Sequence, residues 1–158
     1  MIDRAAGISP GSELAALRRA RADNVRLSQA SHDAALNPRD CGNISRGERA
    51  ALACRMARLL KDERLERHYR ELLDAAGDAE TAPVADPDGQ TAPDPRLTAI
   101  VRHVELVTLT PALATRTDIE QLKSAGLTDR DIVTLSGLIA FVNYQARVAA
   151  GLRLLGSR

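Results

Sequence analysis

The chain has 158 residues, 22 Lys and Arg against 21 Asp and Glu, and 44% hydrophobic residues, yet its only aromatic side chains are Phe141, Tyr69 and Tyr144. That length suits one self-sufficient core, and a core made of Leu, Ala, Val and Ile favours closely packed helices over a sheet. The balanced charge lacks an extended basic stripe with interleaved aromatics, so nucleic acid is not an expected partner, and Arg18, Arg19 and Arg21 read as a solvated helix face. Met1-Ile2-Asp3-Arg4 has no apolar stretch behind a basic start, and the longest apolar run, Leu138 to Val142, falls far below the ~20 residues that span a bilayer. A cytoplasmic protein with no membrane partner is expected.

In chain order, Ser9-Pro10 predicts a cap and first turn for a helix over 11–21, followed by a second helix over 23–36 that stops at the Asn37-Pro38 turn. Cys41 lies in the turn-rich stretch after it. Ser45-Arg46-Gly47-Glu48 has the capping-box pattern, in which the Ser hydroxyl and Glu carboxylate satisfy each other's backbone donors. The helix it opens carries Leu52, Met56, Leu59 and Leu60 at helical spacing, with Cys54 as a small core residue. Asp62 begins the next helix, with Leu65, Tyr69, Leu72 and Leu73 on one face and Gly77 suited to the left-handed position past its end. Between Gly77 and Pro95 stand four prolines and five acids without a base. Such a segment buries too little apolar surface to offset its ordering entropy, so a flexible acidic linker over 77–95 is expected within a single domain of residues 1–158.

Beyond it, Asp94-Pro95 predicts the start of a helix bearing Leu97, Ile100, Val101, Val104 and Val107. Thr117-Asp118-Ile119-Glu120 reads as a second capping box, for a short helix ending at Gly126. Thr128-Asp129-Arg130-Asp131 reads as a third, for a long terminal helix. Ile132, Leu135, Ile139, Val142, Ala146 and Ala149 line one face of that helix, and Val133, Leu138 and Phe141 widen it, which places it centrally in a bundle or at a subunit interface. Asn143 and Arg147 share a face and read as a structural polar pair. The helix, turn and helix between Thr117 and Ala140 does not suit DNA, because its second helix offers Val133, Leu135, Leu138 and Ile139 where base edges need polar groups.

Candidate chemistry is sparse. With two cysteines and no Cys-x-x-Cys, a disulfide framework is not expected. His32 and His103 each lie alone on a helical pattern with no second His at i+3 or i+4, so no metal is expected, and no Gly-rich phosphate loop announces a cofactor. His68 is the remaining group able to exchange protons near neutral pH, and Glu48 is explained by its cap.

Asp118-Ile119-Glu120, Ala125-Gly126-Leu127-Thr128, Asp131-Ile132 and Phe141-Val142-Asn143-Tyr144, together with Ile44-Ser45-Arg46-Gly47-Glu48-Arg49 and Ala57-Arg58-Leu59, resemble the carboxymuconolactone decarboxylase-like family. Within it, the likeness is to alkylhydroperoxidase D-like, peroxidase-related proteins. The resemblance implies an all-α, alkylhydroperoxidase D-like helical bundle that assembles as a homo-oligomer. In the peroxidase members a Cys-x-x-Cys supplies the attacking and resolving thiols, beside an upstream Glu and a nearby His. Carried over from Ile44 without gaps, the thiols fall on Asp62 and Leu65, the Glu on Ala50, two residues beyond Glu48, and the His on Tyr69, one beyond His68. Disulfide cycling needs both thiols, so it is not expected here. His68 and Glu48 remain as the catalytic candidates for cysteine-independent chemistry on a small organic or peroxide substrate. The alternative is a noncatalytic member that assembles with itself or with an active relative.

Overall fold

The computed structural model describes residues 1–89 and 94–157, and among them there are helices and loops but no strand. Eight α-helices follow in order: α1 (Ile2–Ala6), α2 (Glu13–Arg19), α3 (Ala22–Leu36), α4 (Arg46–Leu59), α5 (Glu63–Ala76), α6 (Pro95–Leu109), α7 (Arg116–Ser124) and α8 (Asp129–Gly156). Short 3-10 turns lie at Ala82–Ala85 and Pro111–Leu113.

The innermost element is α4. Ala51, Leu52, Ala53, Cys54, Met56 and Ala57 on it are all 0% exposed, so the helix is enclosed on every side, by α3, α5, α6, α8 and the turn at Ala82–Ala85. Its run of alanines is what allows this, since small side chains let neighbouring helices approach from several directions. The terminal helix α8 shares the centre. It is long and apolar enough in length and composition to cross a membrane, but Ile132, Leu135, Leu138, Ile139, Phe141, Val142, Ala146 and Ala149 are spent on contacts inside the bundle. Tyr69 of α5 and Gln145 of α8 are both 0% exposed, and the Tyr69 hydroxyl donates to Gln145 Oε1 at 2.8 Å, which supplies each buried polar group with a partner.

Helix starts follow the sequence in most places. Ser45 N donates to Glu48 Oε2 at 2.7 Å while Ser45 Oγ accepts from Glu48 N at 3.0 Å, and Thr128 and Asp131 form the same reciprocal pair. Asp62 Oδ1 accepts from Leu65 N at 3.2 Å, and Gly77 ends α5 at φ 65°. Two starts differ. Ser12 rather than Ser9 caps α2, accepting from Ala15 N at 3.1 Å. Thr115, not Thr117, opens α7, because Asp118 stands three residues beyond Thr115 and its carboxylate reaches back to Thr115 N at 2.8 Å. Glu120 pairs with Arg116 instead.

The expected flexible linker needs correction over residues 77–89. Val84 and Ala85 are 1% and 0% exposed and pack on α4. Arg55 of α4 donates to the carbonyls of Val84 (2.9 Å), Asp86 (2.7 Å) and Pro87 (3.3 Å), and Arg58 pairs with Asp86 at 3.1 Å. At the other end, buried Gly47 leaves room for the Asp78 side chain, which a Cβ there would strike. The segment is a strap: its own apolar content is small, but two arginines on α4 supply the binding that composition alone did not reveal. The part of the expected linker at 90–93 lies outside the described residues.

Candidate active site

Helical spacing puts Arg64, Arg67, His68 and Glu71 of α5 on one face, opposite the Leu65, Tyr69 and Leu73 face that enters the core. That face meets α1, and between them lies a half-open cleft of about 300 Å³ lined by Met1, Arg4, Ala5, Gly7, Arg64, Arg67, His68 and Glu71. Glu71 is paired to Arg4 at 3.1 Å.

His68 is not alone there. Its Nε2 lies 2.9 Å from Nε2 of buried His32 on α3, and His32 Nδ1 lies 2.9 Å from Asp33 Oδ1. A carboxylate only accepts, so His32 Nδ1 donates to it, and with His32 neutral its Nε2 lone pair accepts from His68 Nε2–H. Gln29 Nε2 donates to the same Asp33 oxygen at 2.9 Å. The line Asp33, His32, His68 therefore fixes both tautomers and leaves His68 Nδ1 as the basic nitrogen of a ring that borders the cleft. Phe141 of α8 packs edge-on against His32, with ring centroids 6.0 Å apart, and so holds that ring from the core side. The His32 hydrogen bond holds the Asp33 carboxyl below its usual range.

Burial, reinforced by the neighbouring His32, lowers the His68 pKa from 6.5 to about 4, against the opposing pull of Glu71 and alongside the repulsion of Arg4. A histidine whose folded pKa is depressed binds fewer protons than in the unfolded chain, so its contribution is present above pH 6.5 and is lost as pH falls towards 4. Allowing for solvent at a half-buried ring, the loss is about 1–2 kcal/mol. Urea unfolding at pH 7.5 and 4.5 is expected to show that loss for the wild type and a smaller one for His68→Gln. Equal losses in the two proteins would assign the acid sensitivity to other groups.

Glu48, the other sequence candidate, is not brought to His68. One Glu48 oxygen accepts from Ser45 N and the other pairs with Arg96 of α6 at 2.5 Å. Glu48 lies in the first turn of α4, whose neighbour Gly47 faces Asp78 beyond the end of α5, whereas His68 lies eight residues before that end, about 12 Å along the axis.

The positions that the family resemblance assigns to thiols are occupied by structure. Asp62 is 7% exposed, caps α5 and binds Arg153 of α8 through both oxygens, at 3.2 and 2.5 Å, while Arg153 also donates to Ala5 O. Leu65 is 0% exposed in the core. Burial raises the Tyr69 phenol at the position of the family histidine, so it stays protonated. Cys41 and Cys54 are both free thiols; burial pushes the Cys54 thiol up, and its Sγ faces Glu66 O at 3.8 Å.

His103 sits buried on α6 away from these groups, with Nδ1 unpartnered among the described residues and its pKa lowered by burial. Asn143 donates to Ile139 O at 3.1 Å, and Arg147 donates to Asn143 O and Oδ1, both at 3.0 Å. They form a polar pair within α8. The described residues contain no group of three or more His, Cys, Asp and Glu placed to hold a metal ion.

No protein-family model and no curated protein matches the chain. Solved structures do match. An uncharacterized peroxidase-related protein from Silicibacter superposes with a TM-score of 0.71 at 21% identity, over 82% of this chain and 68% of the other. An uncharacterized peroxidase-related protein from Ralstonia eutropha, described as an alkylhydroperoxidase AhpD core, superposes with a TM-score of 0.70 at 23% identity, over 83% and 69%. This chain has the alkylhydroperoxidase D-like fold. On that fold, the head of α5 carries an ion pair at Asp62 and a core leucine at Leu65, and His68 stands one turn further on.

The His32 contribution was missed from sequence because its partner lies on a different helix, 36 residues away. A search for His at i+3 or i+4 tests one helix at a time, whereas this pair forms between α3 and α5.

Proposed function

We propose that the chain is a member of the carboxymuconolactone decarboxylase-like family that carries out proton transfer on a small organic substrate without thiols, at the cleft between α1 and α5. His68 exchanges the proton, and His32 and Asp33 hold its tautomer. The observation that carries this reading is the Asp33, His32, His68 line at the border of an open cleft, set beside thiol positions filled by Asp62 and Leu65. Peroxide reduction through a disulfide has no pair of thiols to use there. Proton transfer to or from a carbon acid or its enolate requires only a positioned base and its conjugate acid. A cytoplasmic setting fits the two free thiols.

The test is turnover across lactones, β-keto acids and organic hydroperoxides, with wild type and a variant in which Cys41 and Cys54 are both replaced by Ser. Activity on a carbon acid or lactone that is unchanged in the double variant is the expected result. Hydroperoxide reduction that disappears with the two cysteines would overturn the reading.

A second reading, noncatalytic self-assembly or assembly with an active relative, is favoured by one surface. Leu17 of α2 and Leu154 and Leu155 of α8 are 60%, 65% and 53% exposed, and a groove between these helices is lined by Leu14, Ala16, Leu17 and Leu155. Exposed leucines gathered at one place suit a subunit contact. Sedimentation equilibrium is expected to give a multiple of the 17.0 kDa chain mass. A monomer at every concentration would remove the homo-oligomer and leave only assembly with an active relative.

A further inference from the structure

We propose that the α1–α5 cleft takes a small organic carboxylate with an apolar tail, its head held by Arg64 with Arg67 alongside and next to the His68 ring. This deepens the proton-transfer reading, on which it rests for the role of His68. Of the charged residues that line the cleft, Arg4 and Glu71 neutralise each other at 3.1 Å. Arg64 and Arg67 have no carboxylate within ion-pair distance among the described residues, so the cleft keeps a surplus of two guanidinium charges. That surplus disfavours a cation or metal near the imidazole pair and favours an anion. A guanidinium offers a planar fork that matches a carboxylate through two parallel hydrogen bonds.

Arg64, although exposed, also lies against the end of α1. Gly7, the left-handed residue that ends α1 at φ 70°, carries the guanidinium directly over its backbone: a Cβ at this position would overlap Nη1 and lie 2.9 Å from Cζ. The positive φ at this position favours glycine, and the absent Cβ lets the guanidinium lie close to the backbone. From there Arg64 borders a second groove of about 370 Å³, whose walls include Ile8, Leu14 and Leu152. One guanidinium thus stands between the His68 cleft and a groove of mixed polarity, whose apolar side at Ile8, Leu14 and Leu152 suits the short hydrocarbon tail of a molecule with a charged head.

The same occupant resolves a chemical mismatch. In the empty cleft His68 is a weak base, because burial and the adjacent His32 oppose its protonation. A carboxylate beside it supplies negative charge that favours the imidazolium, bringing the ring nearer to the range in which it both accepts and returns a proton.

Isothermal titration calorimetry on the full chain tests this with hexanoate, its neutral isostere hexanamide, and inorganic phosphate as probes. Hexanoate is expected to bind at least ~10-fold more tightly than hexanamide, since the lost contact is a charge-assisted pair of hydrogen bonds, and more tightly than phosphate, which has no tail. Arg64→Lys, which keeps the charge but not the fork, is expected to weaken hexanoate by about 10-fold. Gly7→Ala, which keeps every charge but evicts the guanidinium, should do the same; a thermal melt shows whether it still folds, and Arg64→Lys decides the matter if it does not. His68→Gln should retain hexanoate binding within about 3-fold while losing turnover. Equal affinity for hexanoate and hexanamide, tighter binding of phosphate, or no response to either Arg64→Lys or Arg64→Gln would overturn the carboxylate site. Carboxylate binding without turnover of any carbon acid would sink the catalytic reading and leave this one standing; turnover indifferent to a carboxylate group would do the reverse.

Discussion

Arg55→Ala is expected to cost about 2–4 kcal/mol of stability, somewhat less than the loss of one partner from a fully buried ion pair, because the Glu105 carboxylate left behind is partly exposed. Arg55 is 4% exposed in the middle of α4, and every arm of its guanidinium is used. Nε and Nη2 bind Glu105 of α6 at 2.8 and 2.6 Å, Nη1 binds the carbonyls of Val84 and Asp86, and Nη2 also reaches Pro87 O. Truncation strands Glu105 and three carbonyls and leaves a cavity beside a helix with no slack around it. Lysine is a poor substitute, because a single ammonium cannot span two sides of the strap. Urea denaturation followed by circular dichroism measures the loss, and limited proteolysis is expected to cut first within 78–89 in the variant. A loss below about 1 kcal/mol would mean that the strap is held by Val84 and Ala85 packing alone.

His68→Gln is expected to lower kcat by about 10²–10⁴-fold on whatever carbon acid the wild type turns over, the usual cost of losing a positioned general acid or base. Glutamine keeps much of the bulk and a donor for His32 Nε2, so the fold is preserved and the change reports on proton exchange. His32→Gln and Asp33→Asn act through the tautomer and orientation of His68. They are expected to give smaller losses, chiefly in kcat, and to displace the pH–rate profile, which a purely structural role would not do. Wild-type rates in His68→Gln would remove His68 from the chemistry and turn attention to the assembly reading.

What the sequence disclosed and withheld has a common physical origin. The all-helical architecture was legible because caps and apolar faces are local: Ser45 with Glu48, Thr128 with Asp131, and Asp62 with Leu65 each lie three residues apart. Where two local solutions competed, as at Thr115 and Thr117, the chain used the one whose third residue was the shorter Asp118. Nonlocal contacts were not legible. The strap at 77–89 has a disordered composition and an ordered structure, because Arg55 and Arg58 belong to another helix. The candidate site divides in the same way. His68 could be singled out by its titration range, whereas His32, Arg64 and Gly7 acquire their meaning only when α1, α3 and α5 are brought together.

The ion pair at the head of α5 has a consequence for how readily such a site can change over generations. A single Asp62→Cys step introduces one thiol but removes the residue that caps Leu65 N, and it leaves Arg153 with Ala5 O but, among the described residues, no counter-charge. The capping loss alone is worth about 1 kcal/mol. The second thiol, at Leu65, has to enter a position that is closed to solvent. Each intermediate on the path is less stable than its parent and gains no disulfide chemistry until the last step. Selection acting on one mutation at a time therefore meets a ratchet, which keeps an ion pair and a core leucine at the head of α5.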